Sequence, residues 1–341
     1  MIKKGIMQMA DFNQLLKVLN RETPDRPVLF ELYMCEEIYK RAIGKKFNNA
    51  TPYDFLLSCA YAFEALGYDY ATAWGPMSFP AKASNHLNTI SLNEGAVITD
   101  RTSFEQYKWP EADKLDYSKF DKVKDELPKG MKLMIMGPGG VLENVISLVG
   151  YDHLCLMIYD DEQLVYDIFE QVGSRLAAYY KQTLQYESVG LVSDNDDWGF
   201  NTQTMLSVAD MRRFVFPWHK EIVKASHAAG RPVVLHSCGN FEQILDDLFS
   251  IGFDARHSYE DNIIPVEKAY GMLSGHMAVM GGIDVDFLIR ESKENIENRV
   301  KAILTQTGAR GYALGSGNSI PDYVPAEKYL CMINTAKSFI L

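Results

Sequence analysis

The chain has 341 residues, 47% of them apolar and 23% charged, and a formal net charge of −11. That length suits one large α/β barrel or two ordinary domains, and the surplus of acid leaves no basic face for nucleic acid. No apolar run approaches a membrane span. The start, Met1-Ile-Lys-Lys-Gly-Ile-Met7, lacks the apolar core of a secretory signal, and five cysteines are scattered without paired spacing. Reduced thiols and a cytoplasmic location are expected.

Short apolar runs, each followed by Gly, Pro, Asp or Asn, alternate with helical patterns. In chain order the pattern predicts a helix over 11–20, a strand over 27–32, a helix over 52–66, and strands over 68–74 and 131–137. A helix over 161–187, a strand over 189–194, a helix over 207–229, a strand over 232–236 and a helix over 241–251 follow. The chain closes with strands over 253–258 and 278–282, a helix over 285–305 and a strand over 310–315. Ser207 and Asp284 stand where N-caps belong. Eight strands alternating with helices predict an α/β fold, a (β/α)8 TIM barrel. A doubly wound sheet is the alternative, because periodicity does not separate closed from open. Residues 76–117 carry Pro76, Pro80, Asn85, Asn88, Asn93 and Trp109-Pro110 with no long period, and read as an irregular excursion over the barrel mouth. No repeat or linker divides residues 1–341, so a single domain is expected.

In a parallel barrel every strand ends at one mouth. Glu31 and Tyr33 follow the first strand, Trp74 the second and Gly137-Pro-Gly-Gly140 the third. Asp194-Asn-Asp-Asp-Trp198 follows the fourth, His236, Cys238 and Asn240 the fifth, His257 and Glu260 the sixth, Asp284 the seventh, and Asn318 the eighth. Buried carboxylates are costly without partners, so this convergence points to a site. His236 and Cys238 sit at i and i+2 of a strand and face the same side. Imidazole with thiolate favours zinc, and Glu260 is the first choice for a third ligand, with Asp196 or Asp197 next. The alternative is a hydrogen-bonded His beside a small buried Cys. The acidic run 194–197 raises at least one pKa by mutual repulsion, which suits a general acid or a cation site; a solvated loop is the alternative. Trp198 reads as a pocket wall. Gly137-Pro-Gly-Gly140 resembles a phosphate-binding turn without its Lys and Ser/Thr, and reads as a plain tight turn.

Several stretches, spread over nearly the whole chain, resemble the uroporphyrinogen decarboxylase superfamily. They are Pro24-Asp-Arg-Pro-Val-Leu-Phe30, Tyr68-Asp-Tyr-Ala71, Leu156-Met-Ile-Tyr-Asp-Asp-Glu-Gln-Leu-Val165, Phe216-Pro-Trp-His-Lys220, His236-Ser-Cys-Gly-Asn240 and Gly282-Ile-Asp284. The resemblance implies a (β/α)8 barrel with its site at the carboxyl ends of the strands. Decarboxylases of that superfamily carry an Arg-rich N-terminal substrate motif and lack His-x-Cys-Gly. Here the matching Leu29-Phe-Glu-Leu-Tyr-Met-Cys-Glu-Glu37 is acidic and has no Arg.

The chain is more similar to the corrinoid-dependent methyltransferase branch, which includes methylcobamide methyltransferases and aryl-ether O-demethylases of anaerobic one-carbon metabolism. That likeness implies zinc on His236, Cys238 and the carboxylate Glu260. It also implies a second Cys in a Gly-Cys-Gly context, where this chain has Gly315-Ser316-Gly317. Losing a thiolate makes the site harder and better suited to an oxygen substrate. The implied reaction moves a methyl group from a small methoxy compound to the Co(I) corrinoid of a separate corrinoid protein. Catalytic roles fall to His236, Glu260, Asp196 and Asp197, and substrate binding to Glu31, Tyr33, Trp74, Trp198, Asn240, His257 and Asn318. The alternatives are decarboxylation of uroporphyrinogen or another carboxylic acid, and a non-catalytic small-molecule-binding barrel. A homodimer is the default assembly.

Overall fold

The computed structural model describes residues 9–81, 92–93 and 95–341. Eight parallel strands form one curled sheet: β1 Val28–Leu29, β2 Tyr70–Trp74, β3 Lys132–Met136, β4 Val189–Asn195, β5 Val233–His236, β6 Ala255–His257, β7 Ala278–Met280 and β8 Tyr312–Leu314. Their order is β1-β8-β7-β6-β5-β4-β3-β2. Side chains bridge the seam between the two edge strands. The Tyr70 hydroxyl accepts from the Glu31 N–H at 2.7 Å and donates to the Glu31 carbonyl at 2.5 Å, and Thr72 Oγ1 donates to the Leu32 carbonyl. The architecture is the expected α/β (β/α)8 barrel, and each expected strand is present. The strands read as unbroken apolar runs because helices cover the outer face while side chains fill the interior, so both faces are buried.

Local chemistry sets the helix ends. Thr51 caps Pro52–Leu66 by accepting from the Asp54 N–H, with Pro52 in the first turn. Ser207 and Asp284 are N-caps as expected. Two long patterns are broken. The expected 285–305 helix splits into Val285–Arg290 and Lys293–Thr307, because Ser292 turns extended and accepts from the Asn295 N–H to start the second piece. The 207–229 helix carries a π-turn at Met211–Val215 ahead of Pro217, which has no N–H to give the regular i→i−4 ladder.

Within 76–117, the chain beyond Val97 packs on the outer helices. Val97 and Ile98 donate to the Leu148 carbonyl, and Arg175 of the helix Glu162–Thr183 lies over the Trp109 ring. Asn85 and Asn88 of that stretch, and Met1 to Met7, lie outside the described residues. Among the described residues no single helix is long and apolar enough to cross a membrane.

The register is what matters for chemistry. Asn195 of β4 pairs with His236 of β5, which pairs with His257 of β6. These three residues therefore form one row at the carboxyl edge of the sheet.

Candidate active site

Asp197, His236 and Cys238 present one ligand atom each within 4.8 Å of one another. The strand-end spacing brings His236 and Cys238 together, with Cys238 Sγ 3.9 Å from His236 Nε2. Asp197 joins them because its Oδ1 accepts the Cys238 backbone N–H at 2.8 Å. The loops after β4 and β5 can close this far because Gly239 has φ +89° and touches the backbone of Gly199, leaving no room for a Cβ.

His236 is buried, and its Nδ1 lies 2.8 Å from His257 Nδ1. Burial, helped by the charge of Arg256, pushes its pKa down to about 3, so the ring is neutral. The Cys238 thiol is pushed up by burial and then by the Asp197 charge. A cation would have to displace that proton to bind sulfur. Neutral imidazole, an ionisable thiol and a carboxylate form a donor set that fits zinc with a fourth position open.

Glu260, the expected third ligand, is not among the three. It is half-buried in the wall of a cavity of about 890 Å³ that Asp261, Asp284, Arg290, Asn318 and Tyr323 also line. Burial, then the charges of Asp284 and Asp197, raise its pKa. Asn318 joins the cavity to the cluster, because its Nδ2 donates to Cys238 Sγ at 3.5 Å.

The acidic run is divided by geometry. Asp196, expected to be catalytic, is fully buried and accepts from four donors: the N–H groups of Leu142 and Glu143, Trp198 Nε1 and His219 Nε2. It fills the N-terminus of the helix Val141–Val149, where the Gly137-Pro-Gly-Gly140 turn would have aimed a phosphate. All four contacts are with the protein's own donors. His219 Nδ1 meets Asp194 Oδ2 at 2.7 Å on the other side. Burial alone would lower the His219 pKa, but Asp194 and then Asp196 outweigh it and raise the value to about 10. The ring is therefore a buried cation between two carboxylates. Trp198, expected as a pocket wall, is buried against Phe216, His219 and Phe253 and belongs to the core.

Glu31 is wholly buried, with its Oε1 accepting from the Ser316 N–H at 2.8 Å and its Oε2 lying 2.6 Å from Ser316 Oγ. Ser316 Oγ also donates to the Asn318 carbonyl. A hydroxyl has one hydrogen and a carbonyl has none. A hydrogen on the Glu31 carboxyl would let both contacts form at once. Burial pushes Glu31 up to about 8, in keeping with a protonated side chain. Ser316 is thus turned to Glu31, outside the three-donor cluster.

His257 is buried between His236 and the Ser316 carbonyl rather than open to a substrate. Asn240 caps its own loop, accepting from the Glu242 N–H at 2.9 Å. Tyr33 and Trp74 meet edge-on at 5.9 Å and do not line the cavity. Two residues beside the site were missed in the sequence. Arg256 is buried under the Phe241 ring and donates to the carbonyls of Ser237 and Ser258. An Arg inside a strand gives no periodic signal. His219 lay in the noted Phe216-Pro-Trp-His-Lys220 run, but nothing local shows that its face turns inward.

The profile of the family described as Uroporphyrinogen decarboxylase (URO-D) matches residues 11–339. The chain belongs to the uroporphyrinogen decarboxylase family. A uroporphyrinogen decarboxylase from Myxococcus xanthus is 28% identical over 176 residues, covering 51% of this chain and 48% of the relative. That from Koribacter versatilis is 24% identical over 287 residues, covering 78% and 77%. The chain thus spans only about half the length of the first of these relatives. In fold it is similar to a methyltransferase from Methanosarcina mazei, with a TM-score of 0.71 and 15% identity over 96% of this chain and 98% of that one.

Proposed function

We infer that this member of the family is a corrinoid-dependent methyltransferase acting on a small methoxy compound. The observation that carries the reading is the Asp197, His236 and Cys238 cluster at the ends of β4 and β5, joined through Asn318 to a cavity of about 890 Å³. A zinc ion held by those three residues would supply Lewis-acid polarisation of an ether oxygen. The Co(I) corrinoid of a separate corrinoid protein is the second substrate. Its electron pair forms the bond to the methyl carbon as the carbon–oxygen bond breaks, and the oxygen keeps that bonding pair. Glu260, raised in pKa and lining the cavity, gives its proton to the departing oxygen.

The test is the methylation of added Co(I) corrinoid by a panel of methoxyarenes, followed by the methyl-cobalamin absorption spectrum. Metal analysis of the protein and of His236→Ala runs beside it. Stoichiometric zinc lost in the variant, with methyl transfer from one ether, is the expected result. No transfer from any ether ends the reading.

The names of the curated relatives favour a second reading, decarboxylation of uroporphyrinogen. The cavity opposes it, because Asp261, Asp284, Asp286 and Glu291 line it beside Arg290 and would meet a polyanionic tetrapyrrole with a surplus of like charge. Release of carbon dioxide from uroporphyrinogen would establish it. Ligand binding without turnover would leave a binding barrel.

A further inference from the structure

We propose that His257 is a positioning residue that sets the tautomer of His236, so that the bare Nε2 of His236 faces Cys238 and Asp197. The inference deepens the reading of the cluster as a metal site. The argument starts at the Ser316 carbonyl, 3.0 Å from His257 Nε2. A carbonyl only accepts, so His257 Nε2 carries a hydrogen. With the ring neutral, its Nδ1 is then bare. His236 Nδ1 lies 2.8 Å from that bare nitrogen and must donate to it. His236 Nε2 is left with its lone pair, 3.9 Å from Cys238 Sγ.

The opposite tautomer of His236 would need hydrogens on both nitrogens of His257. That would put another buried cation close to the charged Arg256. It would have no carboxylate among its hydrogen-bond partners, and the Arg256 charge already acts against it. The relay is sterically held. Phe30 packs edge-on against His257 at 5.2 Å. Gly281, at φ +77°, gives the ring and the Ser316 carbonyl their room, since a Cβ there would come within 2.8 Å of His257 Nε2. Metal-binding histidines commonly hand their second N–H to an acceptor, and that partner orients the ligand. Here the acceptor is another histidine, itself fixed by a backbone carbonyl. The Ser-for-Cys departure at 316 leaves this carbonyl contact intact, because it uses the main chain.

The first arm of the test uses the metal-free wild-type protein with ¹⁵N-labelled histidine. Long-range proton–nitrogen correlations should show a protonated Nδ1 and bare Nε2 for His236, and the reverse for His257. A protonated Nε2 on His236 overturns the proposal. The second arm titrates Co(II) into the purified chain and follows the ligand-field absorption. His257→Leu should lose about 10–100-fold in affinity, while His257→Asn, whose amide oxygen can accept near the Nδ1 position, should stay within roughly threefold of wild type. Equal affinity for all three folded proteins, or equal loss in both variants, also overturns it. If His257→Leu does not fold, the ring-nitrogen spectrum decides alone. A chain that binds no Co(II) sinks the metal reading under Proposed function, while the same spectrum still decides the tautomer.

Discussion

Replacing His219 by Leu tests the account of the acidic loop most severely. The imidazole sits with no exposed surface between Asp194 at 2.7 Å and Asp196 at 2.9 Å. Its rise from 6.5 to about 10 corresponds to about 5 kcal/mol of preference for the charged form at ~1.4 kcal/mol per pKa step. Removing one partner of a buried ion pair costs about 3–5 kcal/mol, a similar size. Asp196 would keep the N–H groups of Leu142 and Glu143 and the Trp198 indole, whereas Asp194 would lose the contact that balances its charge. The expected loss at pH 7 is therefore about 3–5 kcal/mol, or roughly 5–15 °C in Tm.

The pH dependence has a definite sign. The folded-state pKa lies above the unfolded value, so the stabilisation is fully present below about 6.5 and is lost as pH rises toward about 10. Urea unfolding of wild type and variant at several pH values isolates this effect as a difference curve. The gap between the two proteins should narrow steadily between pH 7 and 10. A variant within about 1 kcal/mol of wild type at pH 7, or a gap independent of pH, refutes the buried-cation argument.

Other outcomes follow from the same geometry. Asp197→Asn should weaken Co(II) or zinc binding by at least about tenfold, whereas Glu260→Gln should keep the metal and lose methyl transfer; chelator competition and the methylation assay separate the two. Glu31→Gln should lie within about 1 kcal/mol of wild type near pH 4, where the glutamate is neutral in both folded and unfolded chains, and should be the more stable of the two by roughly 3 kcal/mol at pH 7. The Glu31 pKa is raised by burial to about 8, so wild type loses stability as pH rises from about 4.5 through 8. The variant should lack that slope in urea melts. Asp196→Ala should lower stability by about 2 kcal/mol or more, through the lost cap on the helix Val141–Val149 and the abandoned donors. Circular dichroism during thermal unfolding measures it.

Much of the fold was legible because strands buried on both faces read as continuous apolar runs, and their turns carry Gly, Pro, Asp or Asn. The eight strands, the caps at Ser207 and Asp284, and the pairing of His236 with Cys238 all follow from periods of 2 and 3.6 and from side-chain capping chemistry. These are short-range properties, and a linear text carries them. The break at Ser292 and the π-turn before Pro217 also have local causes, but causes that leave the apolar period uninterrupted.

The division of labour among the carboxylates was decided only by packing. Asp196 and Asp197 are neighbours in sequence, yet one fills a helix N-terminus beside a buried imidazolium and the other reaches the Cys238 N–H. Glu260 and Asp197 were both reasonable ligands by residue type. What separates them is the close passage of Gly199 against Gly239, which no local pattern encodes. Strand ends determine which residues arrive at the mouth. Which donor meets which acceptor there depends on atoms brought from distant segments, and so belongs to the tertiary structure alone.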